Sequence, residues 1–374
     1  MIQADYLVVG AGAMGMAFAD AVLTETDATL AIVDRCGKPG GHWTRTYPHV
    51  RLHQPSAFYG VNSRPLGSGT KDTVGWNAGL FELACGSEVT AYFDQVMNQQ
   101  FLPSGRVQYF PMCEYAEGGA IVSLASGKAE KVTARKVVDA KYSHVTVPSM
   151  RPPEYEVAEG ARCVPPNALT TLEDTPSAYV VIGAGKTGMD ACLWLLEAGV
   201  ATDAITWIVP RDSWLIDRAS IQPGAEFFES TVGGFALQME AAALASSVDD
   251  LFERLESTGQ LIRIDPSVRP TMYRCATVSL AELDGLRMLK NIVRMGHVQA
   301  IDSNEIILDS GAIPTSPNTL HIDCTADGLG RRPAAPVFDG DRVSVQSVRT
   351  CQPAFSAAFI GHVESCYQDE AEKE

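Results

Sequence analysis

Two short glycine-spaced runs carry the clearest chemistry in this sequence. Gly10-Ala11-Gly12-Ala13-Met14-Gly15 and Gly183-Ala184-Gly185-Lys186-Thr187-Gly188 both read G-x-G-x-x-G. In such a run the first glycine allows a tight turn. The second removes a side chain that would block a pyrophosphate, and the third lets a helix pack closely on a strand. The helix that starts there offers free N–H groups and a positive dipole end to phosphates. Between the two runs stand His53 and Gln54, in a stretch rich in aromatic residues. An imidazole there can give or take a proton near neutral pH, and it can equally serve as a structural hydrogen-bonder.

The elements that must position these residues are legible around them. Tyr6-Leu7-Val8-Val9 is a short apolar run of the kind that forms a buried parallel strand, and it leads straight into Gly10. Met16, Ala17, Phe18, Ala21, Val22 and Leu23 follow at helical spacing, and Leu30-Ala31-Ile32-Val33 ends at Asp34 and Arg35. An acid about 20 residues past the turn is placed to hydrogen-bond a ribose hydroxyl. Strand, turn, helix, strand and acid together read as a dinucleotide unit lined by Gly10, Gly12, Ala13, Met14, Gly15, Asp34 and Arg35. The second unit repeats the order with Ala178 to Ile182, the turn, a helix through Leu195 and Leu196, Gly199 as its cap, and Ile205 to Val209. It ends in Pro210-Arg211 rather than an acid. An arginine pairs with a 2′-phosphate that a carboxylate would repel, which favours NADPH there; the other reading of Arg211 is a plain surface charge. Two units suggest two nucleotides, and NADPH with FAD forms a hydride relay.

A third segment gives these units a family. Gly40-Gly41-His42-Trp43, Tyr47-Pro48, Arg51, Pro55-Ser56 and Tyr59 follow the first unit closely. The pattern resembles the G-G-x-W … Y-P-x-x-R-x-x-x-P-S-x-x-Y signature of flavin-containing and Baeyer–Villiger monooxygenases, and the resemblance spans about residues 1–215. It implies that NADPH reduces FAD, that the reduced flavin meets molecular oxygen to form a (hydro)peroxide, and that one oxygen enters a nitrogen, sulfur or carbonyl group of a small molecule. By position it also implies that Gly41, His42, Trp43, Arg51 and Ser56 lie along the FAD, and that Gly183, Gly185, Lys186, Thr187, Gly188 and Arg211 hold NADPH. His53 stands where Baeyer–Villiger enzymes have an aspartate, and Gln54 near an asparagine of the flavin-containing monooxygenases. Two departures argue against a Baeyer–Villiger reaction. No F-x-G-x-x-x-H-x-x-x-[WF]-P motif is present, although Lys141 to Pro148 falls near its place. Val137-Val138-Asp139-Ala140-Lys141-Tyr142 replaces the A-T-G segment.

Composition narrows the remaining classes. The chain has 374 residues, 46% hydrophobic and 20% charged, enough for a sizeable core without disulfides or metals. A net charge of −16 makes nucleic acid a poor partner. Nine cysteines are scattered with no C-x-x-C pair, which argues against a zinc site or a dithiol redox pair and suits free thiols in a reducing compartment. No apolar run reaches about 18 residues, and a strand begins almost at once, so neither membrane nor signal peptide is expected and the cytoplasm is the default. A dimer is the base-rate expectation for oligomeric state.

The whole reads as an α/β protein with two Rossmann-like dinucleotide-binding domains and a discontinuous FAD domain. Residues 1–150 and 318–374 form the FAD part, and 165–317 the NAD(P) part with a helical insertion at about 213–295. Strands are expected at Val107 to Phe110, Ile121 to Leu124 and Lys131 to Val138 as a meander, with a hairpin from Val298 to Leu308. A helix is expected over Leu237 to Leu255 and another over Leu280 to Met295. The strand from Leu320, followed by a turn at Asp327-Gly328, should return the chain to the FAD domain. The expected function is an FAD- and NADPH-dependent monooxygenase. The alternatives are an FAD-dependent oxidase or reductase without oxygen insertion, and a flavin- or nucleotide-binding accessory protein of low activity.

Overall fold

The computed structural model describes residues 1–116, 118–326, 332–349 and 351–374. The chain opens with β1 (Ile2–Val9), α1 (Ala13–Glu25) and β2 (Leu30–Val33). After a loop come α2 (Gly86–Val96), β3 (Val107–Phe110), β4 (Cys113–Ala116), β5 (Ala120–Ser123) and β6 (Ala129–Asp139). β3, β2, β1 and β6 pair in parallel, while β4 and β5 form an antiparallel extension of β6. Strand alternation divides the core. Tyr6 and Val8 face a layer that includes Phe18 and Val22 of α1, and Leu7 and Val9 pack with Ile121 and Val132 of the meander. The parallel sheet is therefore covered on both faces, as its near-continuous apolar strands require.

The same three layers recur in the second half. It begins with β7 (Glu156–Val157), β8 (Arg162–Val164), β9 (Ala178–Ile182), α3 (Lys186–Glu197) and β10 (Ile205–Ile208). An excursion follows through β11 (Ser213–Asp217), α4 (Gly234–Leu244), α5 (Val248–Ser257), β12 (Met272–Val278) and α6 (Leu280–Arg287). The chain then forms β13 (Asn291–Val293), a meander of β14 (Val298–Ile301), β15 (Glu305–Leu308) and β16 (Gly311–Pro314), and β17 (Thr319–Asp323). The order β13-β10-β9-β17-β8 is parallel throughout. Tyr179 and Val181 face Met189 and Leu195 of α3; Val180 and Ile182 pack with Val298, Ile301 and Ile306 of the meander. The chain ends with β18 (Phe338–Asp339) and β19 (Arg342–Ser344), which extend the first sheet beside β6, and α7 (Pro353–Cys366), which lies on α1. The fold is thus two Rossmann-like units with three layers each, as expected from the two glycine turns.

Several expectations are corrected in detail. The strand from Leu320 stays in the second sheet, paired on both sides by β9 and β8, so the first sheet is regained at Phe338. The turn expected at Asp327-Gly328 lies outside the described residues. The helix expected over Leu237 to Leu255 is two helices, because the Ser247 side chain accepts from Asp250 N and caps a new start. The helix from Leu280 stops at Arg287, and Asn291 to Val293 is a strand pairing with β10. Nor are all cysteines free: Cys275 of β12 and Cys351 before α7 form a disulfide that ties the excursion to the first half. Among the described residues no helix is long and apolar enough to cross a membrane.

Candidate dinucleotide site

The first turn is built as a cradle. Gly10 has φ 113°, a left-handed conformation that glycine alone adopts without strain. Gly15 lies so close to the turn that a Cβ would stand 1.9 Å from the Gly10 carbonyl oxygen. Gly12 caps α1 without any side-chain hydrogen bond, leaving the helix N–H groups to a ligand. Ala13 is buried and Met14 half-buried in the first turn of α1. Gly41, at φ 58°, backs onto this cradle: a Cβ there would lie 2.9 Å from the Gly12 Cα.

Asp34 is buried at the end of β2, where its carboxylate accepts from Ala11 N at 2.6 Å and Cys36 N at 2.7 Å. Each oxygen retains a lone pair for a ribose hydroxyl. Tyr109 lies beside it, and its buried hydroxyl has no partner in the protein. Next to them opens a cavity of about 710 Å³ bordered by Arg35, Lys38, Thr44, Arg45 and Met112. A carboxylate, an unpartnered phenol and cations beside a phosphate cradle fit the adenosine and pyrophosphate of FAD. Arg35 also lies 3.6 Å from Glu114, which holds it at the rim.

The segment after the cradle is a strip of deep yet partly accessible side chains. His42, His53 and Tyr59 sit far inside the molecule without being closed off, as residues lining a crevice do. Trp43 Nε1 donates to the Tyr59 hydroxyl at 2.6 Å, which fixes both rings. Burial lowers the His42 imidazole to about 4. Burial, with the charges of Lys186 and Arg218, lowers His53 to about 3. The His53 imidazole is therefore neutral near pH 7, which favours its hydrogen-bonding reading over proton exchange. Gln54 accepts from Gln352 Nε2 at 2.6 Å, which joins it to the start of α7.

Two residues expected along the FAD, Ser56 and Arg51, bond to the neighbouring loop. The buried Ser56 hydroxyl donates to Glu82 O and accepts from Ala84 N. Arg51 is exposed and donates to Leu83 O at 3.2 Å. Both fasten the strip to residues 82–84.

The second turn repeats the backbone device with different surroundings. Gly183 again has φ 113°, and a Cβ on Gly188 would stand 2.0 Å from the Gly183 carbonyl oxygen. Gly185 caps α3 without a side-chain bond and has open space where its Cβ would be. Arg211 is exposed just past β10. An open helix N-terminus and an exposed arginine fit a phosphorylated dinucleotide. Lys186, however, turns inward and pairs with Asp190 one turn along α3. Asp190 also accepts from the Tyr47 hydroxyl at 2.7 Å, a bond from the first half to the second. Burial raises the Asp190 carboxyl, with Lys186 opposing, and raises the Tyr47 phenol. Thr187 lies beside Tyr47 as well.

Sequence reasoning missed the residues that lock the halves together. Arg218 is wholly buried and donates to His53 O at 2.7 Å, Asn77 Oδ1 at 3.0 Å and Glu282 Oε2 at 2.6 Å. Glu282 also accepts from Ser279 N in the capping box of α6. His49 is sandwiched between Tyr47 and Trp194, with both ring nitrogens buried and unpartnered. The Ser279-x-x-Glu282 box was readable as a helix start; nothing local in the sequence marks Arg218, Tyr47 or Asp190 as partners across the halves.

Comparison with known proteins places this geometry. No family model matches the chain. The protein Rv2000 of Mycobacterium tuberculosis, named as uncharacterized, is 58% identical over 372 residues, covering all of this chain and 69% of its own length. The same figures hold for Mb2023 of Mycobacterium bovis, also named as uncharacterized. The chain belongs to this mycobacterial protein family. Among solved structures, a flavin monooxygenase from Stenotrophomonas maltophilia matches with a TM-score of 0.55 and 16% identity, covering 99% of this chain and 100% of that one. A steroid monooxygenase bound to NADP gives a TM-score of 0.63 at 14% identity, over 98% and 85%. Cyclohexanone monooxygenase from Rhodococcus sp. Phi1, bound to NADP+, gives 0.58 at 11%, over 97% and 83%. The chain therefore has the fold of these flavin monooxygenases.

Proposed function

We propose that this protein is an FAD- and NADPH-dependent oxidoreductase of the monooxygenase kind, acting with molecular oxygen on a nitrogen, sulfur or carbonyl group of a small molecule. One observation carries the reading. The helices that start at the two glycine turns both have N-termini free of side-chain caps, and the strip of His53 and Gln54 ties to elements of both halves. FAD, when bound, supplies the hydride and oxygen chemistry, with NADPH as the hydride source.

The chain's own residues bind, orient and exclude water. The N–H groups of α1 and the carboxylate of Asp34 would hold FAD, with Gly41 allowing close approach. The N–H groups of α3 and the Arg211 guanidinium would hold NADPH. His53, kept neutral, has one N–H to donate and one lone pair to accept, so it orients a polar group without placing a fixed charge beside it. Arg218 anchors the His53 backbone, and the Tyr47–Asp190 bond holds α3 against the first half. Aromatic groups at Trp43 and Tyr59 shield the crevice wall.

A second reading, an oxidase or reductase without oxygen insertion, draws on Lys141 and Tyr142. Lys141 Cγ stands 3.1 Å from where a Gly10 Cβ would be, so the side chain lies over the first turn. Tyr142 donates to Pro333 O. Neither residue occurs in the segment it replaces. The separating experiment measures oxygen uptake and hydrogen peroxide release by the FAD-loaded protein with NADPH and a panel of amines, sulfides and ketones. Uptake matched by an oxygenated product supports the monooxygenase; uptake returned wholly as peroxide with every compound supports the oxidase.

A further inference from the structure

We propose that Glu25, His362 and Cys366 form a binding site for a borderline-soft divalent cation such as Zn2+, away from the dinucleotide crevice. The search for C-x-x-C pairs misses it because its ligands are spaced H-x-x-x-C on α7, one helical turn apart, with the third on α1. His362 Nδ1 lies 2.7 Å from Glu25 Oε2. Cys366 Sγ lies 3.8 Å from Glu25 Oε2 and 3.7 Å from His362 Nδ1. In a tetrahedral zinc site, bonds of about 2.0–2.3 Å put neighbouring ligand atoms about 3.3–3.6 Å apart. Both sulfur edges are within a few tenths of an ångström of that geometry. The short His362–Glu25 edge is a hydrogen bond that opens slightly as the ion replaces the shared proton.

The ligand set and its scaffold both suit the ion. Thiolate, imidazole and carboxylate together select zinc-like metals over calcium or magnesium, which take oxygen ligands. Three protein ligands leave a fourth position to water, and all three groups are exposed or at the surface, so the ion can enter. The helices that carry them are held in register: a Cβ on Gly361 would stand 2.9 Å from the Ala21 Cβ and from the Phe18 carbonyl oxygen. Glu25 ends α1 and Cys366 ends α7, and neither helix has a basic side chain in its last turn. The negative ends of both helix dipoles therefore meet here and favour a cation, although Arg106 already covers the Leu23 and Thr26 carbonyls of α1. Binding releases the Cys366 thiol proton to solvent and leaves the metal's oxidation state unchanged.

The ion would clamp the ends of α1 and α7 remote from the dinucleotide site. The opposite end of α1 is the first cradle, and the opposite end of α7 is Gln352, bonded to Gln54. The test uses the full chain, titrated with Co2+ as a spectroscopic probe and then with Zn2+ in competition against a chromophoric chelator. One Co2+ per chain should bind with a thiolate-to-cobalt charge-transfer band that Zn2+ abolishes. Cys366→Ser should remove the band, and His362→Gln and Glu25→Gln should each weaken Zn2+ binding by about tenfold or more. Melting temperatures of the metal-free variants report on folding, and Zn2+ should raise the melting temperature of the parent chain but not of the variants. Absence of the band in the parent, or a band that persists in Cys366→Ser, would overturn the proposal. So would unchanged Zn2+ affinity in the folded Glu25→Gln and His362→Gln variants.

Discussion

The two halves of the molecule use one backbone device and surround it differently. Gly10 and Gly183 share φ 113°, and Gly15 and Gly188 pack so close to the turn that a Cβ on either would stand about 2 Å from its carbonyl oxygen. The first cradle is closed from behind by Gly41 and has an acid, Asp34, at the end of its second strand. The second stands open at Gly185 and has Arg211 at the corresponding strand end. In the proposed function the shared geometry would serve a pyrophosphate in each half, and the differences would serve distinct ribose groups. On this proposal, one backbone cradle repeated in a chain would gain its specificity from the side chains at strand ends.

The largest effects should separate glycines that fold the turn from glycines that face a ligand. Gly15→Ala and Gly188→Ala place a Cβ 1.9 Å and 2.0 Å from backbone oxygen, so each should cost about 4 kcal/mol or more and largely abolish folded protein. Gly12→Ala meets nothing closer than 3.6 Å, and Gly185→Ala nothing within 4 Å. These two should keep their melting temperature to within about 2 °C while weakening FAD and NADPH binding respectively by about tenfold. Equal melting temperatures across all four variants would break the comparison.

Next in size is the junction between the halves. Arg218→Met leaves Glu282 buried without its cation and frees His53 O, and should cost on the order of 3–5 kcal/mol in denaturant unfolding. A loss under about 1 kcal/mol would mean that the arginine is not the anchor its burial indicates.

Acid should weaken the packing around His42, His49 and His53. His42 and His49 fall from 6.5 to about 4, and His53 from 6.5 to about 3, burial being the main cause in each. Their folded values lie below the unfolded ones, so the unfolded chain binds more protons in that interval. Stability is complete above about pH 6.5 and falls progressively as pH drops towards 4, by an amount on the order of a few kcal/mol. Urea midpoints measured across that range check the direction. Within about pH 7 to 8 the midpoint should not respond to His53→Gln through titration.

The smallest effect concerns the 2′-phosphate end of the proposed NADPH site. Arg211→Gln should reduce the preference for NADPH over NADH by about tenfold and leave stability unchanged. An unaltered ratio of kcat/KM for the two coenzymes would return Arg211 to its other reading, a plain surface charge.

What the sequence disclosed follows the range of each interaction. The glycine turns, their strands and Asp34 are local, so spacing alone locates them. The first-sheet strands at Val107, Ile121 and Lys131 are legible for the same reason. The break at Ser247 was missed because the apolar residues keep helical spacing across it, while the capping serine is visible only as one polar residue among several. Asn291 to Val293 joined a sheet because β10 needed a partner, which no local propensity reveals. Cys275 and Cys351, 76 residues apart, became partners only through the fold. His53 was proposed by its position, but its charge state depends on burial and on Lys186 and Arg218, both distant in sequence.

The most direct test of the two-nucleotide account is an anaerobic titration of the FAD-loaded protein with NADPH, followed by visible absorbance. The account predicts that the oxidised flavin bands bleach, and that Gly185→Ala slows or abolishes the bleaching while flavin remains bound. A bound flavin that stays oxidised with excess NADPH would contradict it.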